Sequence, residues 1–232
     1  MKQIFLSLKD SKISLKDIPK PTLLNNTIII RTQKTLISSG TERMLVDFGK
    51  ANYLKKAKNQ PEKVTQTINK LKTDGLFSVL SSIKNKLDEP IPLGYCNVGI
   101  IESIGKNVKG FKVGQRVISN GSHADYVRVN PKLCAIIPED VSNERAVFTV
   151  LASVALNGVR LLKPSFGETI VVSGLGLVGI LSLQILKKSG CNAIGIDLDP
   201  KKCKLASELG FNVHKLEKSK SCINWINNIT NN

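Results

Sequence analysis

The sequence predicts an α/β protein in which a β-rich N-terminal domain is followed by a parallel sheet crossed by helices. Short β-branched stretches separated by glycine-containing turns occupy most of residues 1–142. From residue 166 onward, strand-like and helix-like segments alternate, which is typical of βαβ units. The apolar stretch between these regions begins with a good N-cap, Ser142, and predicts one long buried helix. We therefore expect two domains, 1–142 and 166–232, joined by a linking helix over 143–165.

The N-terminal domain is predicted to be a small barrel or sandwich, because its strands are short and closely spaced. A Lys- and Gln-rich segment with helical spacing interrupts this domain at about residues 43–90. One helix is expected there on Val64, Ile68 and Leu71, and a second on Leu76, Val79, Leu80 and Ile83. The predicted strands cover residues 3–8, 27–35, 98–104, 116–119 and 124–129.

The C-terminal domain is predicted to contain half of a doubly wound parallel sheet. A complete sheet of this kind has six strands in two halves, and the residues after Gly167 supply three strands. We therefore expect a chain that is truncated at its C-terminus and that, on its own, is poorly soluble or partly unfolded and inactive. The predicted strands cover 169–173, 192–197 and 211–214, the helices cover 177–188 and 200–209, and a short amphipathic helix falls within 219–232.

The composition argues against specific nucleic-acid binding despite a net charge of +16. The 34 basic residues comprise 28 Lys and 6 Arg, and aromatic residues make up 5% of the chain. Proteins that read nucleic acids rely on the Arg fork and on stacking aromatic rings. A general bias toward Lys and Asn explains this charge more simply.

Neither the cysteines nor the apolar segments indicate secretion or a membrane. The five cysteines lie far apart and their number is odd, so we expect reduced thiols and a cytoplasmic protein. Residues 169–186 form an uncharged run of 18, the length of a short transmembrane helix. This run contains spaced glycines and is predicted to be a buried strand, a loop and a helix.

A Gly-x-Gly-x-x-Gly motif follows the strand predicted over 169–173 and opens the next helix. In that context the motif predicts dinucleotide binding, because free N–H groups at the helix N-terminus attract a diphosphate. The first glycine permits a tight turn, the second lets the backbone approach the pyrophosphate, and the third allows the helix to pack closely on the strand. The residues expected to contact the cofactor here are Gly174, Gly176, Leu177, Val178 and Gly179.

Asp197 ends the next predicted strand, 23 residues after Gly174. A carboxylate at this position accepts hydrogen bonds from the adenosine ribose hydroxyls and repels a 2′-phosphate. The sequence therefore predicts NAD(H), in preference to NADP(H), as the cofactor. The alternative is that the glycines serve helix–sheet packing without a ligand.

Four further stretches carry a family resemblance. Residues 39–42 read Ser-Gly-Thr-Glu, 92–96 read Pro-Leu-Gly-Tyr-Cys, 111–117 read Phe-Lys-Val-Gly-Gln-Arg-Val, and 124–127 read Ala-Asp-Tyr-Val. Together with the glycine motif they resemble the medium-chain dehydrogenase/reductase superfamily, and more narrowly its zinc-type alcohol dehydrogenases. The corresponding family stretches read Cys-Gly-x-Asp, Gly-His-Glu, Gly-Asp-(Arg/Lys)-Val and Ala-Glu-Tyr. The resemblance implies a GroES-like barrel followed by a partial Rossmann domain, with Lys202 reaching the adenosine ribose.

The resemblance also places the family's catalytic zinc ligands on Ser39, Tyr95 and, less securely, Thr149. Hydroxyl groups are poor zinc ligands compared with thiolate or imidazole, so no zinc is expected. The thiol of Cys96 lies beside the lost histidine, but one thiol does not make a site. This combination resembles a zinc-free branch that forms the first half of two-domain oxidoreductases, associated in bacteria with surface-polysaccharide synthesis.

Without zinc, we expect proton transfer to involve Tyr95, Glu42 or an ordered water, with Ser39 as a further candidate hydroxyl. The alternative for Tyr95 is that it fills the volume left by the metal, and for Glu42 that it anchors a hydrogen bond. His123 is expected to be a surface turn residue, and His214 to be solvated beyond the third strand of the sheet.

The leading hypothesis is an NAD(H)-dependent, zinc-independent oxidoreductase that acts on an alcohol or carbonyl carbon of a small molecule. The lysine-rich segment between Lys50 and Lys86 would suit an anionic substrate such as a nucleotide-linked sugar, although such a run is more often a solvated helix face. A homo-oligomer is expected for the full-length form. The alternatives are a binding or assembly module that kept the fold and lost the chemistry, an inactive fragment, and a nonspecific nucleic-acid binder.

Overall fold

The computed structural model describes residues 1–50, 89–217 and 223–230. The chain divides into two compact units, Met1–Val147 and Phe148–Asn232. Both helices predicted within residues 61–87 lie outside the described residues, as does most of the lysine-rich segment.

The first unit is built from antiparallel strands. In its described part, five strands form one sheet in the order β7-β3-β5-β6-β8, and three form another in the order β2-β1-β4. Apolar side chains from β3, β5, β6 and β7 form the core of the larger sheet: Ile28, Ile30, Ile101, Val117, Val127 and Val129. The strands are β1 Lys2–Leu6, β2 Ile13–Asp17, β3 Ile28–Thr35, β4 Ile91–Pro92, β5 Asn97–Ile104, β6 Arg116–Ser119, β7 Tyr126–Val129 and β8 Cys134–Ile136.

Helix α1, Thr41–Lys50, begins where the helical insert was expected to begin. Its first turn is held by a reciprocal pair of bonds between Glu42 and Ser38. The Ser38 N–H donates to the Glu42 carboxylate over 2.8 Å, and the Glu42 N–H donates to the Ser38 carbonyl over 2.9 Å. The Ser38 carbonyl thus satisfies an N–H group that the helix start leaves free, and the Glu42 carboxylate fixes the backbone just before the helix.

The prediction of one long buried linking helix is wrong. The Ser142 hydroxyl does cap a helix, but α2 is short, Asn143–Ala146, and α3, Thr149–Leu162, follows as a separate helix. The division between the two units falls between these helices, after Val147. In α3 the buried residues are spaced four apart and occupy one face (Leu151, Ala155, Val159), whereas Leu161 and Leu162 are 75% and 55% exposed. An apolar run therefore does not establish burial on every face.

In the described residues of the second unit, three parallel strands form a sheet in the order β11-β10-β9, with helices between the strands. The strands predicted over 169–173 and 192–197 and the helix over 177–188 are confirmed. The core joins helix and strand residues: Val159, Leu175, Leu183, Leu186, Cys191, Ala193, Ala206 and Phe211. The elements are β9 Thr169–Ser173, α4 Leu177–Lys188, β10 Asn192–Asp197, α5 Pro200–Glu208, β11 Asn212–Lys215 and α6 Ile223–Thr230.

His214 differs from its predicted place. It lies within β11, and its ring stacks on Trp225 of α6 with centroids 4.5 Å apart and planes at 22°. The indole therefore covers an imidazole that was expected to be solvated.

In the part of the chain that the structure describes, no helix has the length and apolar character needed to cross a membrane. The uncharged run over 169–186 forms β9, the glycine loop and most of α4.

Candidate functional site

The glycine loop between β9 and α4 has the geometry that its spacing predicts. Gly174 has φ +93°, a backbone conformation that side chains rarely adopt. A Cβ on Gly179 would lie 1.9 Å from the Gly174 carbonyl oxygen, so α4 could not pack as closely with any other residue there. A Cβ on Gly176 would meet no atom within 4 Å, so this position opens onto free space rather than onto protein. The third glycine therefore serves packing, and the second leaves the backbone accessible.

The N-terminus of α4 is open for an anion. Gly176 is its N-cap residue, and no side chain makes a capping hydrogen bond. Leu177 and Val178 form the first turn, where backbone N–H groups lack partners within the helix, and the Val178 side chain is 40% exposed. Such a helix start offers donors and a partial positive charge to a phosphate group.

Asp197 lies beside this loop at the end of β10. Its carboxylate accepts from the Leu175 N–H over 2.7 Å and from the Asp199 N–H over 2.8 Å. Burial raises the pKa of Asp197, but these backbone bonds and the Lys202 ammonium outweigh burial and hold that pKa below its usual value. The carboxylate is therefore ionised near neutral pH and has lone pairs left for ribose hydroxyls.

The two lysines at the start of α5 differ in position. The Lys202 Nζ lies 3.7 Å from the Asp197 carboxylate, and its side chain is 47% exposed. Lys201 is exposed, and its backbone N–H donates to the capping carboxylate of Asp199 over 2.9 Å. The structure thus brings Lys202, and not the Lys201 ammonium, to the carboxylate predicted to bind ribose.

In the first unit, Tyr95 is bonded to two hydroxyl groups at the start of α1. Its phenol donates to the Ser38 Oγ over 2.7 Å, and the Thr41 Oγ1 lies 3.2 Å away. Ser38 is buried, whereas the predicted Ser39 is exposed. The sequence prediction missed Ser38, because the family alignment points to Ser39 and only the turn into α1 shows which hydroxyl faces the phenol.

Glu42 and His123 form a buried pair next to these hydroxyls. Their side chains are 6% and 5% exposed, and the Glu42 Oε2 lies 3.1 Å from the His123 Nε2. The prediction that His123 is a surface turn residue is wrong. Its ring fits inside because Gly94, at φ +93°, has no side chain: a Cβ there would lie 2.6 Å from the ring. The partner carboxylate is 81 residues away in sequence, and no local pattern reveals it.

Comparison with known proteins identifies the fold. A model of the alcohol dehydrogenase GroES-like domain matches residues 71–173. Over 149 residues the chain is 27% identical to the (R,R)-butanediol dehydrogenase of Bacillus subtilis. These residues are 52% of this chain and 43% of that protein. The chain is similar to members of the medium-chain dehydrogenase/reductase superfamily. Its fold is of the α/β class, with a GroES-like domain and, in the second unit, a Rossmann-type parallel sheet.

Two further proteins show what this chain is similar to. The D-guloside 3-dehydrogenase of Escherichia coli K12 is 32% identical over 122 residues, which are 51% of this chain and 35% of that protein. The crystal structure of an alcohol dehydrogenase from Escherichia coli CFT073 in complex with NADH superposes with a TM-score of 0.74 at 17% identity, covering 100% of this chain and 66% of that one. The chain spans about half the length of the curated relatives it matches.

The donor atoms at the superfamily's catalytic metal position do not fit zinc. The Tyr95 phenol is already hydrogen-bonded to the Ser38 hydroxyl, and Ser39 offers a neutral hydroxyl. Burial, together with the nearby charge of Glu42, raises the pKa of the Cys96 thiol to about 11, so the thiolate that zinc prefers is disfavoured. Thr149 opens α3 in the other unit. Across residues 1–50, 89–217 and 223–230, no three His, Cys, Asp or Glu side chains are grouped as metal ligands.

A separate concavity of about 510 Å³ lies in the first unit, and Gly94 is one of its lining residues. It is lined in part by Gln3, Ser122, Tyr126 and Arg128. Because neither Tyr95 nor Glu42 lines it, we do not assign it to the candidate site.

Proposed function

We propose that this chain carries the cofactor-binding loop and the proton-transfer residues of an NAD(H)-dependent, zinc-independent oxidoreductase that interconverts an alcohol and a carbonyl compound. The observation that carries the proposal is the placement of an ionised Asp197 beside an uncapped helix start on a glycine loop. That arrangement fits the adenosine ribose and the diphosphate of a dinucleotide at once.

The residues present fit the cofactor. The backbone at Gly176, Leu177 and Val178 would hold the diphosphate, and Asp197 with Lys202 would hold the ribose. When bound, the nicotinamide supplies the hydride acceptor or donor. An ionised Asp197 disfavours a second negative charge, which supports NAD(H) over NADP(H).

Tyr95 is the proposed proton carrier. Oxidation of an alcohol releases a proton from its hydroxyl, and a group within hydrogen-bond reach must accept it. The phenol oxygen of Tyr95 would accept the alcohol proton while the phenol gives its own proton to the Ser38 hydroxyl that it binds, or to the nearby Thr41 hydroxyl, which is exposed to solvent. Ser39 contributes an exposed hydroxyl on the same turn. Glu42 acts behind Ser38, whose N–H it binds, rather than on the substrate.

A secondary alcohol on a sugar or polyol is the proposed substrate class. The relatives that support it are named for butanediol and for position 3 of a guloside, both of which present secondary hydroxyls. A sugar-linked, anionic substrate in polysaccharide synthesis is the narrower form of the proposal, and it rests on the resemblance to two-domain oxidoreductases. We further propose a cytoplasmic protein that forms a homo-oligomer in its full-length form.

Turnover by the longest natural form of the protein that contains these residues tests the proposal. After treatment with a chelator, it should reduce NAD with a secondary alcohol from a polyol panel, and metal analysis should find no stoichiometric zinc. Tyr95→Phe should lower kcat about a hundredfold or more, which is the lower end of the range for loss of a general acid–base group.

Tyr126→Phe is the matched control, because that phenol belongs to β7 and should leave kcat unchanged. One zinc per chain, or full activity in Tyr95→Phe, would contradict the proposal. A form that binds NADH but turns over no alcohol would favour the alternative, a binding or assembly module, which the missing zinc ligands also favour.

A further inference from the structure

His123 connects three segments of the first unit around Tyr95. Its backbone N–H donates to the Leu93 carbonyl over 2.8 Å, and its own carbonyl accepts from the Ile4 N–H over 2.9 Å. Its ring occupies the space that the absent side chain of Gly94 leaves open. The backbone immediately before Tyr95 is therefore packed against this imidazole.

The same ring reaches the other end of the Tyr95 hydrogen bond. Its Nε2 contacts Oε2 of Glu42, while Oε1 of Glu42 accepts from the Ser38 N–H. Ser38 in turn presents the hydroxyl that accepts from the Tyr95 phenol. His123 is thus linked to Tyr95 by two routes. One route is the contact with Gly94, which precedes Tyr95 in sequence, and the other runs through Glu42 and Ser38 to the phenol. A buried carboxylate that lost its imidazole partner would be costly and would be expected to move.

We propose that His123 is a positioning residue for Tyr95, acting through Gly94 and through the Glu42 carboxylate. It holds the phenol against Ser38 and does not itself contact substrate. The inference rests on the proposed function at one point only, which is that Tyr95 transfers the proton of the substrate. The position of the phenol can be measured without turnover, so the two proposals can fail separately.

The test compares two substitutions of His123 in the longest natural form of the protein. His123→Phe keeps an aromatic ring against Gly94 and removes the donor to Glu42. His123→Gln keeps an N–H at the distance of Nε2. The probe is the ¹³Cζ resonance of Tyr95 in protein labelled on tyrosine, assigned as the signal missing from Tyr95→Phe.

We expect His123→Phe to shift the Tyr95 resonance while that of Tyr126 stays in place, and His123→Gln to restore most of the wild-type shift. The kcat for alcohol oxidation should fall at least about tenfold in His123→Phe with KM changed less than about twofold, a tenfold change being about 1.4 kcal/mol. NADH affinity should not change, because the glycine loop belongs to the second unit.

If the role of His123 were purely structural, His123→Phe would lower the melting temperature and leave the Tyr95 resonance of the folded variant unchanged. This result would overturn the inference. If His123→Phe does not fold, His123→Gln and His123→Asn make the same comparison, since the shorter amide of Asn cannot reach Glu42. If the wild-type protein shows no turnover, the proposed function fails, and the Tyr95 resonance still decides the positioning role.

Discussion

Two adjacent lysines on α5 give a controlled test of the ribose site at the scale of single residues. The Lys202 ammonium lies 3.7 Å from the Asp197 carboxylate, whereas Lys201 is exposed and contributes its backbone N–H to a helix cap. Lys202→Ala should weaken NADH binding about tenfold, the size expected for one charge-assisted hydrogen bond. Lys201→Ala should change it less than twofold. Fluorescence titration measures both, and equal effects of the two substitutions would remove Lys202 from the site.

The protonation of Asp197 makes a second prediction at this scale. Its folded pKa is held below the usual value, so its ionised form stabilises the fold above the ordinary pKa of an aspartate, about 3.9, and this contribution is lost as pH falls through the folded pKa. The difference in free energy of unfolding between wild type and Asp197→Asn should therefore be larger at pH 7 than at pH 3. Urea melts of the longest natural form at the two pH values measure this difference, and a difference that grew on acidification would contradict the assigned direction.

The sequence predicts the residues that local spacing determines better than those whose roles depend on contacts between distant segments. Gly174, Gly179 and Asp197 are set by local spacing, and the structure has them as a glycine loop with a carboxylate beside it. Ser38 and His123 could not be assigned in this way. Their roles depend on Glu42 and Tyr95, which the fold brings to them from other segments.

At the scale of elements, α4 is held close to the glycine loop by one position. Gly179→Ala would place a Cβ against the Gly174 carbonyl oxygen, so the helix must shift and unfolding should become easier by about 1–3 kcal/mol. The melting temperature should fall by several degrees. Gly176→Ala is the control, since its Cβ meets nothing within 4 Å and its φ is −70°. It should melt like the wild type and bind NADH more weakly. Equal melting temperatures for the two variants would refute the packing role.

The elements that the sequence failed to predict share a physical cause. Strand β2, Ile13–Asp17, was not predicted: it has five residues, and its apolar side chains, Ile13 and Leu15, are 52% and 63% exposed rather than part of a core. The linking region was predicted as one buried helix from its mainly apolar composition. Polar residues recur every four positions in α3 (Thr149, Ser153, Asn157) and are exposed, and α3 buries a single stripe. By contrast, β9, α4 and β10 were predicted because short apolar runs on either side of a glycine motif and an apolar helix are the pattern of a parallel sheet covered by helices.

At the scale of the whole molecule, the second unit exposes apolar surface. Phe166 is 90% exposed and Leu161 is 75% exposed, and within the described residues β9 pairs with β10 on one side and no strand pairs with its other edge. Exposed apolar side chains beside an unpaired edge favour association. The 232-residue chain on its own should therefore be poorly soluble or partly unfolded.

Light scattering after size exclusion and a thermal melt measure this, with Leu161→Ser expected to reduce association. A monodisperse wild-type chain that melts cooperatively would contradict the prediction.

Competition between NADH and NADPH tests the central claim, that Asp197 and the glycine loop form an NAD(H) site. Titrated by fluorescence, the longest natural form should bind NADH at least about tenfold more tightly than NADPH, consistent with about 1.4 kcal/mol or more of repulsion at the carboxylate. Asp197→Ala should weaken NADH binding about tenfold or more. Asp197→Asn, which keeps an oxygen acceptor for the Leu175 N–H, should reduce the ratio of NADH affinity to NADPH affinity. Tighter binding of NADPH by the wild type, or unchanged NADH affinity in Asp197→Ala, would contradict the claim.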